Sequence, residues 1–180
     1  GLQEKYQGKN ITLLCGDATQ IKLPQCNKCI SNLPYTICEP LLWKWTRENF
    51  DCLVLVVPQK FTDLLQGYTP SRLQLLAETF YTLEYLERIP KEAFHPQPRT
   101  ESALIKLIPK KTKEIFLREL FSQYDKKTKN ALKKILMKQG KTKTEALQEI
   151  SLKLRPSLQE KNIVNLSLSE IQELKNGFSL

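Results

Sequence analysis

The sequence is poor in the residues that build metal centres, disulfide frameworks and glycine-rich cofactor loops. Histidine occurs once in 180 residues, at His95. Cys26-Asn27-Lys28-Cys29 has the spacing of half a zinc site, but no second pair follows. Cys15 and Cys38 could complete a four-thiolate site only by an accident of folding, so no metal is expected. The five cysteines, at 15, 26, 29, 38 and 52, are odd in number and crowded into the first third. That excludes a disulfide framework and fits reduced thiols in a cytosol-like, cytoplasmic compartment. Glycine is scarce, with six residues and no Gly-x-Gly-x-Gly run. No apolar stretch approaches the ~20 residues that a membrane span needs. Repeats and low-complexity tracts are absent. The start, Gly1-Leu2-Gln3-Glu4-Lys5, resembles neither a signal peptide nor an initiator sequence, and further residues are expected upstream.

Hydrophobic residues make up 41%, enough for one domain with a core, or a modest core with an appendage. The net charge of +9 is unevenly spread. Residues 110–180 hold 16 Lys and Arg against 8 acids, whereas residues 1–109 are nearly balanced. Eight lysines and no acid fall within 126–143. Such a surface attracts a polyphosphate backbone. The same lysines also suit a solvated helix face that aids solubility.

The first half alternates strand and helix signals. Ile11–Cys15 reads as a short buried strand ending at Gly16-Asp17, and Lys28–Ser31 as another. Leu41–Asn49 reads as a helix. Cys52–Val57 is an uninterrupted β-rich run, as in a strand covered on both faces. A helix is expected over Ser71–Glu78 with Ser71 as its cap, then a strand over Thr79–Arg88. Prolines 90, 96 and 98 make 89–100 a loop before a last strand, Ser102–Ile108. Beyond Pro109 four helices follow, near 112–124, 126–139, 143–154 and 168–176. Gly140 separates the second from the third, and Ser167-Leu168-Ser169-Glu170 opens the fourth. The expected architecture is α/β over residues 1–109, followed by a basic helical domain over 110–180.

An α/β sheet binds ligands beyond the carboxyl ends of its strands. Gly16-Asp17, Asn32-Leu33-Pro34-Tyr35 and the loop after residue 88 all follow strand signals there. The exocyclic amine of adenine is a poor nucleophile because its lone pair is delocalised into the ring. The Asn32 amide oxygen and the Pro34 carbonyl could each accept one of its N–H bonds and draw the nitrogen towards a pyramidal geometry. Proline lacks an N–H and holds its turn rigidly. Tyr35 would stack on the extruded base. The same four residues also fit an ordinary strand-to-loop turn with a packed tyrosine.

In its sequence setting this segment resembles the catalytic motif of the RNA adenine-N6 dimethyltransferases, the family of the small-subunit ribosomal RNA and erythromycin-resistance methyltransferases. Further segments match in the family's order. Gly16-Asp17-Ala18 resembles the acidic turn that contacts the adenine of S-adenosyl-L-methionine. Pro58-Gln59-Lys60 and Ser71-Arg72-Leu73 resemble the stretch after the fifth strand. Ala93-Phe94-His95-Pro96-Gln97-Pro98, continuing to Glu101-Ser102-Ala103-Leu104, resembles a Phe-x-Pro-x-Pro segment. Phe121-Ser122-Gln123 and Lys126–Leu132 resemble the basic helix of the C-terminal domain. The resemblance covers roughly residues 9–180. It implies an incomplete Rossmann-like methyltransferase sheet with a small helical domain. Asn32, Leu33, Pro34 and Tyr35, with Phe94, would form the catalytic set. Gly16, Asp17, Ala18 and Asn32 would hold the cofactor, S-adenosyl-L-methionine. Lys126, Lys127, Lys129, Lys133 and Lys134 would contact ribosomal RNA of the small subunit. Methyl transfer needs alignment more than a strong base, so the absence of an acid–base pair is no objection.

The departures from the family define a second set of expectations. Its opening strand, glycine-rich loop and ribose-binding acid have no counterpart in these 180 residues. The sheet should therefore lack about two strands unless another chain supplies them, the chain should otherwise be a monomer, and it alone should bind the cofactor weakly. Two functions are compatible. One is N6-methylation of adenine, most simply dimethylation, in ribosomal RNA. The other is a non-enzymatic RNA-binding or ribosome-assembly protein that kept the fold. A DNA adenine methyltransferase fits the helical C-terminal part and the Phe94 segment less well.

Overall fold

The computed structural model describes residues 2–6, 8–110 and 115–178. In chain order the elements are α1 (Leu2–Lys5), β1 (Lys28–Asn32), α2 (Cys38–Trp45), β2 (Cys52–Pro58), α3 (Gln59–Gln66), α4 (Arg72–Phe80), β3 (Tyr81–Ile89) and β4 (Ser102–Pro109). Then come α5 (Ile115–Phe121), α6 (Thr128–Lys138), α7 (Lys143–Lys153), α8 (Pro156–Gln159) and α9 (Leu168–Phe178). The strands form one mixed sheet in the order β1-β2-β4-β3. β1 runs parallel to β2, and β4 pairs antiparallel with both β2 and β3. The expected mixed α/β architecture is present.

Register sorts the side chains by face. Leu53, Leu55 and Val57 of β2 alternate with Ala103, Ile105 and Leu107 of β4 on a fully buried face. The opposite face carries Ile30, Val54 and Lys106 in one row and Asn32, Val56 and Leu104 in the next. This side is only half-covered, and Ile30 on the edge strand is 83% exposed. The uninterrupted apolar run of β2 thus serves one dry face and one partly wet one, a correction to the expectation of burial on both.

The expected strand at Ile11–Cys15 is also absent. These residues are irregular, and Ile11, Leu13 and Leu14 are exposed. A strand is stabilised by a ladder partner, and among the described residues none pairs with this segment. α2 begins earlier than expected, at Cys38, because Pro40 lies in its first turn, where a missing N–H costs nothing. Sequence reasoning left Gln59–Gln66 without an element, yet it forms α3, which stops at Gly67 with φ 82° in the left-handed region. Ser71 caps α4 by accepting from the Gln74 amide, as anticipated. Of the expected helix 112–124, residues 112–114 lie outside the described residues, and α5 covers part of the remainder.

The C-terminal helices do not stand apart from the sheet's helices. Trp43 of α2, 1% exposed, meets Phe121 edge-on at 5.4 Å and Tyr124 at 5.9 Å. The Arg47 guanidinium lies 4.2 Å from the Tyr124 ring centre and pairs with Asp125. One buried cluster runs from Leu33 to Phe178.

Candidate functional site

The carboxyl end of β1 leads into the segment of interest. Asn32 is the last strand residue, Leu33 is buried, and Tyr35–Ile37 form a single 3-10 turn into α2. The Leu33 amide donates to the Val56 carbonyl of β2 at 3.1 Å, so this turn is set from the neighbouring strand. The Pro34 carbonyl accepts the Ile37 N–H at 3.0 Å and, more weakly, the Cys38 thiol at 3.7 Å. Burial pushes that thiol up to about 11, which keeps it protonated and a donor. Among the described residues the Asn32 amide has no hydrogen-bond partner, and it is exposed.

Asn32, Leu33, Pro34 and Tyr35 line one cleft of about 310 Å³ together with Phe94, Pro96 and Pro98. Residues 62 positions apart in sequence therefore share a surface, with half-buried Phe94 at the end of the Lys91–Ala93 turn. The volume is at the low end for a small-molecule site. The lining combines two aromatic rings, three proline rings and one free amide, which suits a flat, nitrogen-bearing ring. His95 is exposed and does not line the cleft. The Pro96 and Pro98 walls were visible in the sequence as part of the Phe-x-Pro-x-Pro run. The Cys38 contact to the Pro34 carbonyl, and a 2.7 Å bond from the Tyr35 hydroxyl to Ser102 Oγ, carried no sequence signal.

Gly16, Asp17 and Ala18 lie in an irregular loop. Asp17 Oδ1 accepts from both the amide and the hydroxyl of Thr19 at 2.8 Å. The Thr19 amide, then its hydroxyl, and Lys44 at longer range hold the Asp17 carboxyl below the usual carboxylate range. Lys44 of α2 ties the loop down through the Ala18 carbonyl at 2.8 Å and the Ile21 carbonyl. Ala18 lines a second, larger groove of about 970 Å³ that follows β1 and includes Ser31, Leu33 and Pro34; Gly16 and Asp17 do not line it. Leu33 and Pro34 thus border both cavities. In donor chemistry an ionised acceptor beside an apolar residue suits the adenine end of S-adenosyl-L-methionine, but of Gly16, Asp17, Ala18 and Asn32 only Ala18 lines this groove. Among the described residues no glycine-rich backbone cradle faces its methionine end.

The lysines divide into two groups. Lys127, at 2.7 Å, and Lys129 both pair with Glu160, and Lys126 pairs with Asp125 at 3.3 Å. Lys133 and Lys134, on α6, have no ion-pair partner among the described residues. No group of three or more His, Cys, Asp or Glu suited to a metal occurs among the described residues. The free cysteines show no zinc-like cluster either, since Cys15 and Cys26 are exposed and Cys38 is buried. No helix is long and apolar enough to cross a membrane.

A mixed sheet with a small cleft beyond the carboxyl end of β1, and a larger groove sharing that cleft's wall, matches a Rossmann-like methyltransferase fold. A sequence profile described as ribosomal RNA adenine dimethylase matches residues 1–172. The chain is 30% identical over 186 residues to a probable ribosomal RNA small subunit methyltransferase A of Thermococcus sibiricus, covering 97% of this chain and 67% of that protein. A protein of the same description from Thermococcus gammatolerans is 32% identical, with 97% and 65% covered. The chain thus spans about two thirds of the length of these relatives. Among solved structures, a dimethyladenosine transferase from Plasmodium falciparum superposes with a TM-score of 0.59 at 23% identity, covering 98% of this chain and 76% of that one. The 23S rRNA methyltransferase ErmE superposes with a TM-score of 0.55 at 13% identity, covering 99% and 77%. These two establish the fold. The chain belongs to the ribosomal RNA adenine dimethylase family, a family of methyltransferases, and the resemblance read from its motifs is borne out.

Proposed function

We propose that the protein transfers methyl groups to N6 of adenine in ribosomal RNA, twice per base, and that the cleft at Asn32–Tyr35 and Phe94 receives the extruded adenine. The observation that carries this reading is the sharing of one 310 Å³ cleft by Asn32, Pro34, Tyr35 and Phe94. Tyr35 and Phe94 offer aromatic faces for the unstacked base. The unpartnered Asn32 amide oxygen accepts one N–H of the target amine, and the Pro34 carbonyl accepts the other in place of its weak thiol contact. Acceptors on both hydrogens concentrate the lone pair on nitrogen and aim it out of the ring plane. Catalysis here is positioning, with no proton transfer demanded of a side chain.

S-adenosyl-L-methionine, when bound, supplies the methyl group. Asp17, with Gly16 and Ala18 beside it in the chain, would hold its adenine end, and Asn32 at the end of β1 would meet it from the target-base side. By itself the 180-residue chain binds it weakly, because the residues present serve one end only. A further strand paired to the open edge of β1 would cover Ile30 and complete the site; without one the chain is a monomer. Residues 1–109 act as the partial catalytic domain and 110–180 as the RNA-binding one. Lys126, Lys127, Lys129, Lys133 and Lys134 contact phosphates of small-subunit RNA, which positions the substrate without reading its sequence. The setting is cytoplasmic.

Two measurements test this. Asn32→Ala in the whole protein is expected to abolish N6-methyladenosine formation, read by mass spectrometry of digested ribosomal RNA, while RNA affinity stays within about twofold, because no phosphate contact is removed. Equal loss of both refutes the role of Asn32. Calorimetry of the 180-residue chain with S-adenosyl-L-methionine is expected to show no saturation near ~1 mM ligand. Micromolar binding refutes the weak-cofactor reading.

A further inference from the structure

The Tyr35 ring is anchored from inside the sheet. Tyr35 is 39% exposed and belongs to a one-turn 3-10 segment, so its own backbone gives it little rigidity. Its hydroxyl lies 2.7 Å from Ser102 Oγ, across 67 residues of sequence. Ser102 is fully buried and is the first residue of β4, an inner strand. It pairs with Pro58 of β2 on one side and Ile89 of β3 on the other, which makes it one of the most constrained points at this end of the sheet.

We propose that Ser102 is a positioning residue that fixes the plane of the Tyr35 ring and thereby the stacking surface offered to the target base; this rests on the reading of the cleft as the adenine site. A tyrosine side chain has two free torsions. A hydrogen bond at its far tip restrains both, so the ring keeps one plane while its face stays open to the cleft. Phe94 and the prolines then close a slot of defined width. Ordering the ring before the base arrives removes an entropic cost from capture. The bond also decides what Tyr35 does not do. Its hydroxyl is engaged with Ser102, so the residue acts through its ring face and not as an acid or base.

The test uses the 180-residue chain and a single-stranded RNA dodecamer carrying one 2-aminopurine among adenines. This base keeps the purine ring and lacks the 6-amine, so its fluorescence reports stacking apart from the amine contacts. Tyr35→Ala and Phe94→Ala are expected to abolish the quenching that accompanies capture. Ser102→Ala and Tyr35→Phe each remove the same hydrogen bond and should weaken capture by about fivefold. The double variant should be no weaker than either single one, because both delete one bond. Fluorescence anisotropy of the same RNA provides the total affinity for reference. Wild-type quenching in both single variants overturns the inference, as does an additive loss of about 25-fold in the double variant. Should Ser102→Ala fail to fold, Tyr35→Phe asks the same question from the exposed side of the bond without altering the core. If Tyr35→Ala and Phe94→Ala leave quenching unchanged, the adenine-site reading falls, and the inference falls with it. If they abolish it while the two bond-deleting variants capture the base as the wild type does, only the inference falls.

Discussion

Replacing Trp43 by alanine tests whether the sheet's helices and the C-terminal helices form one cooperative core. Trp43 is 1% exposed and lies in edge-on contact with Phe121 at 5.4 Å. Truncating a fully buried tryptophan costs about 3–5 kcal/mol, through lost transfer energy and the cavity left behind. The aromatic pairing lies within that figure at about 0.5–1.5 kcal/mol. The indole N–H bond to Glu39 Oε1 is long, at 3.3 Å, and Glu39 keeps its Arg72 partner at 2.7 Å, so no charge is stranded. With a urea slope of about 2 kcal/mol per molar, the midpoint should fall by roughly 2 M. That removes a large share of a domain's typical ~5–15 kcal/mol. Trp43→Phe keeps a ring against Phe121 and should cost about 1–2 kcal/mol. The assay is urea unfolding followed by far-ultraviolet circular dichroism, which reports every helix. One transition shifted as a whole is expected. A midpoint lowered by less than about 0.3 M refutes the packing argument, because the implied loss falls far below any buried-tryptophan value. A second transition left at its original position refutes the shared core.

Four further expectations follow from Tyr81, Glu160 and Cys38. The buried Tyr81 hydroxyl has no hydrogen-bond partner among the described residues, and burial raises its pKa; Tyr81→Phe should stabilise the protein by about 1 kcal/mol in the same urea assay, and destabilisation would show that the hydroxyl is paired in solution. Glu160 is pulled from 4.5 down to about 2 by Lys127 first and then Lys129. A depressed carboxylate stabilises the fold above its unfolded pKa and loses that contribution as pH falls from about 4.5 to about 2, so a carbon-13 titration should place its midpoint near the lower value, and an unshifted midpoint would rule out the paired geometry. Glu160→Gln removes the carboxylate that competes for both lysines, so RNA affinity should rise at low salt, whereas Lys127→Ala with Lys129→Ala should flatten the log–log salt slope for single strands by about 1.4; an unchanged slope in that double variant would remove Lys127 and Lys129 from the RNA contact. Cys38, its thiol pushed up to about 11 by burial, should resist iodoacetamide at pH 8 while exposed Cys15 and Cys26 are alkylated; early labelling of Cys38 in peptide mass spectra would contradict the closed packing of α2.

Local pattern was enough for elements whose signals are self-contained. The apolar run of β2, the Ser71 cap, the Gly140 stop and the Ser167–Glu170 box all stand where the residue types demand them. α3 escaped because Gln59–Gln66 begins directly at the end of β2, with no loop to announce it. The short apolar run Ile11–Cys15 misled, because strand propensity without a ladder partner produces no strand. The lysine run was legible as charge, but its partition into Glu160-paired and unpaired members was not.

The sequence by itself determined the order of motifs, the basic C-terminal part and the chemistry available at Asn32, Pro34, Tyr35 and Phe94, since these depend on residue identity and short spacing. Tertiary structure alone decided that Tyr35 and Phe94 share a cleft, that Ser102 holds the tyrosine hydroxyl at 2.7 Å, and that Trp43 joins the sheet's helices to the C-terminal ones. The physical reason is that such contacts span long stretches of chain. They are set by strand order and register, which arise from the packing of the whole core and are written in no single segment.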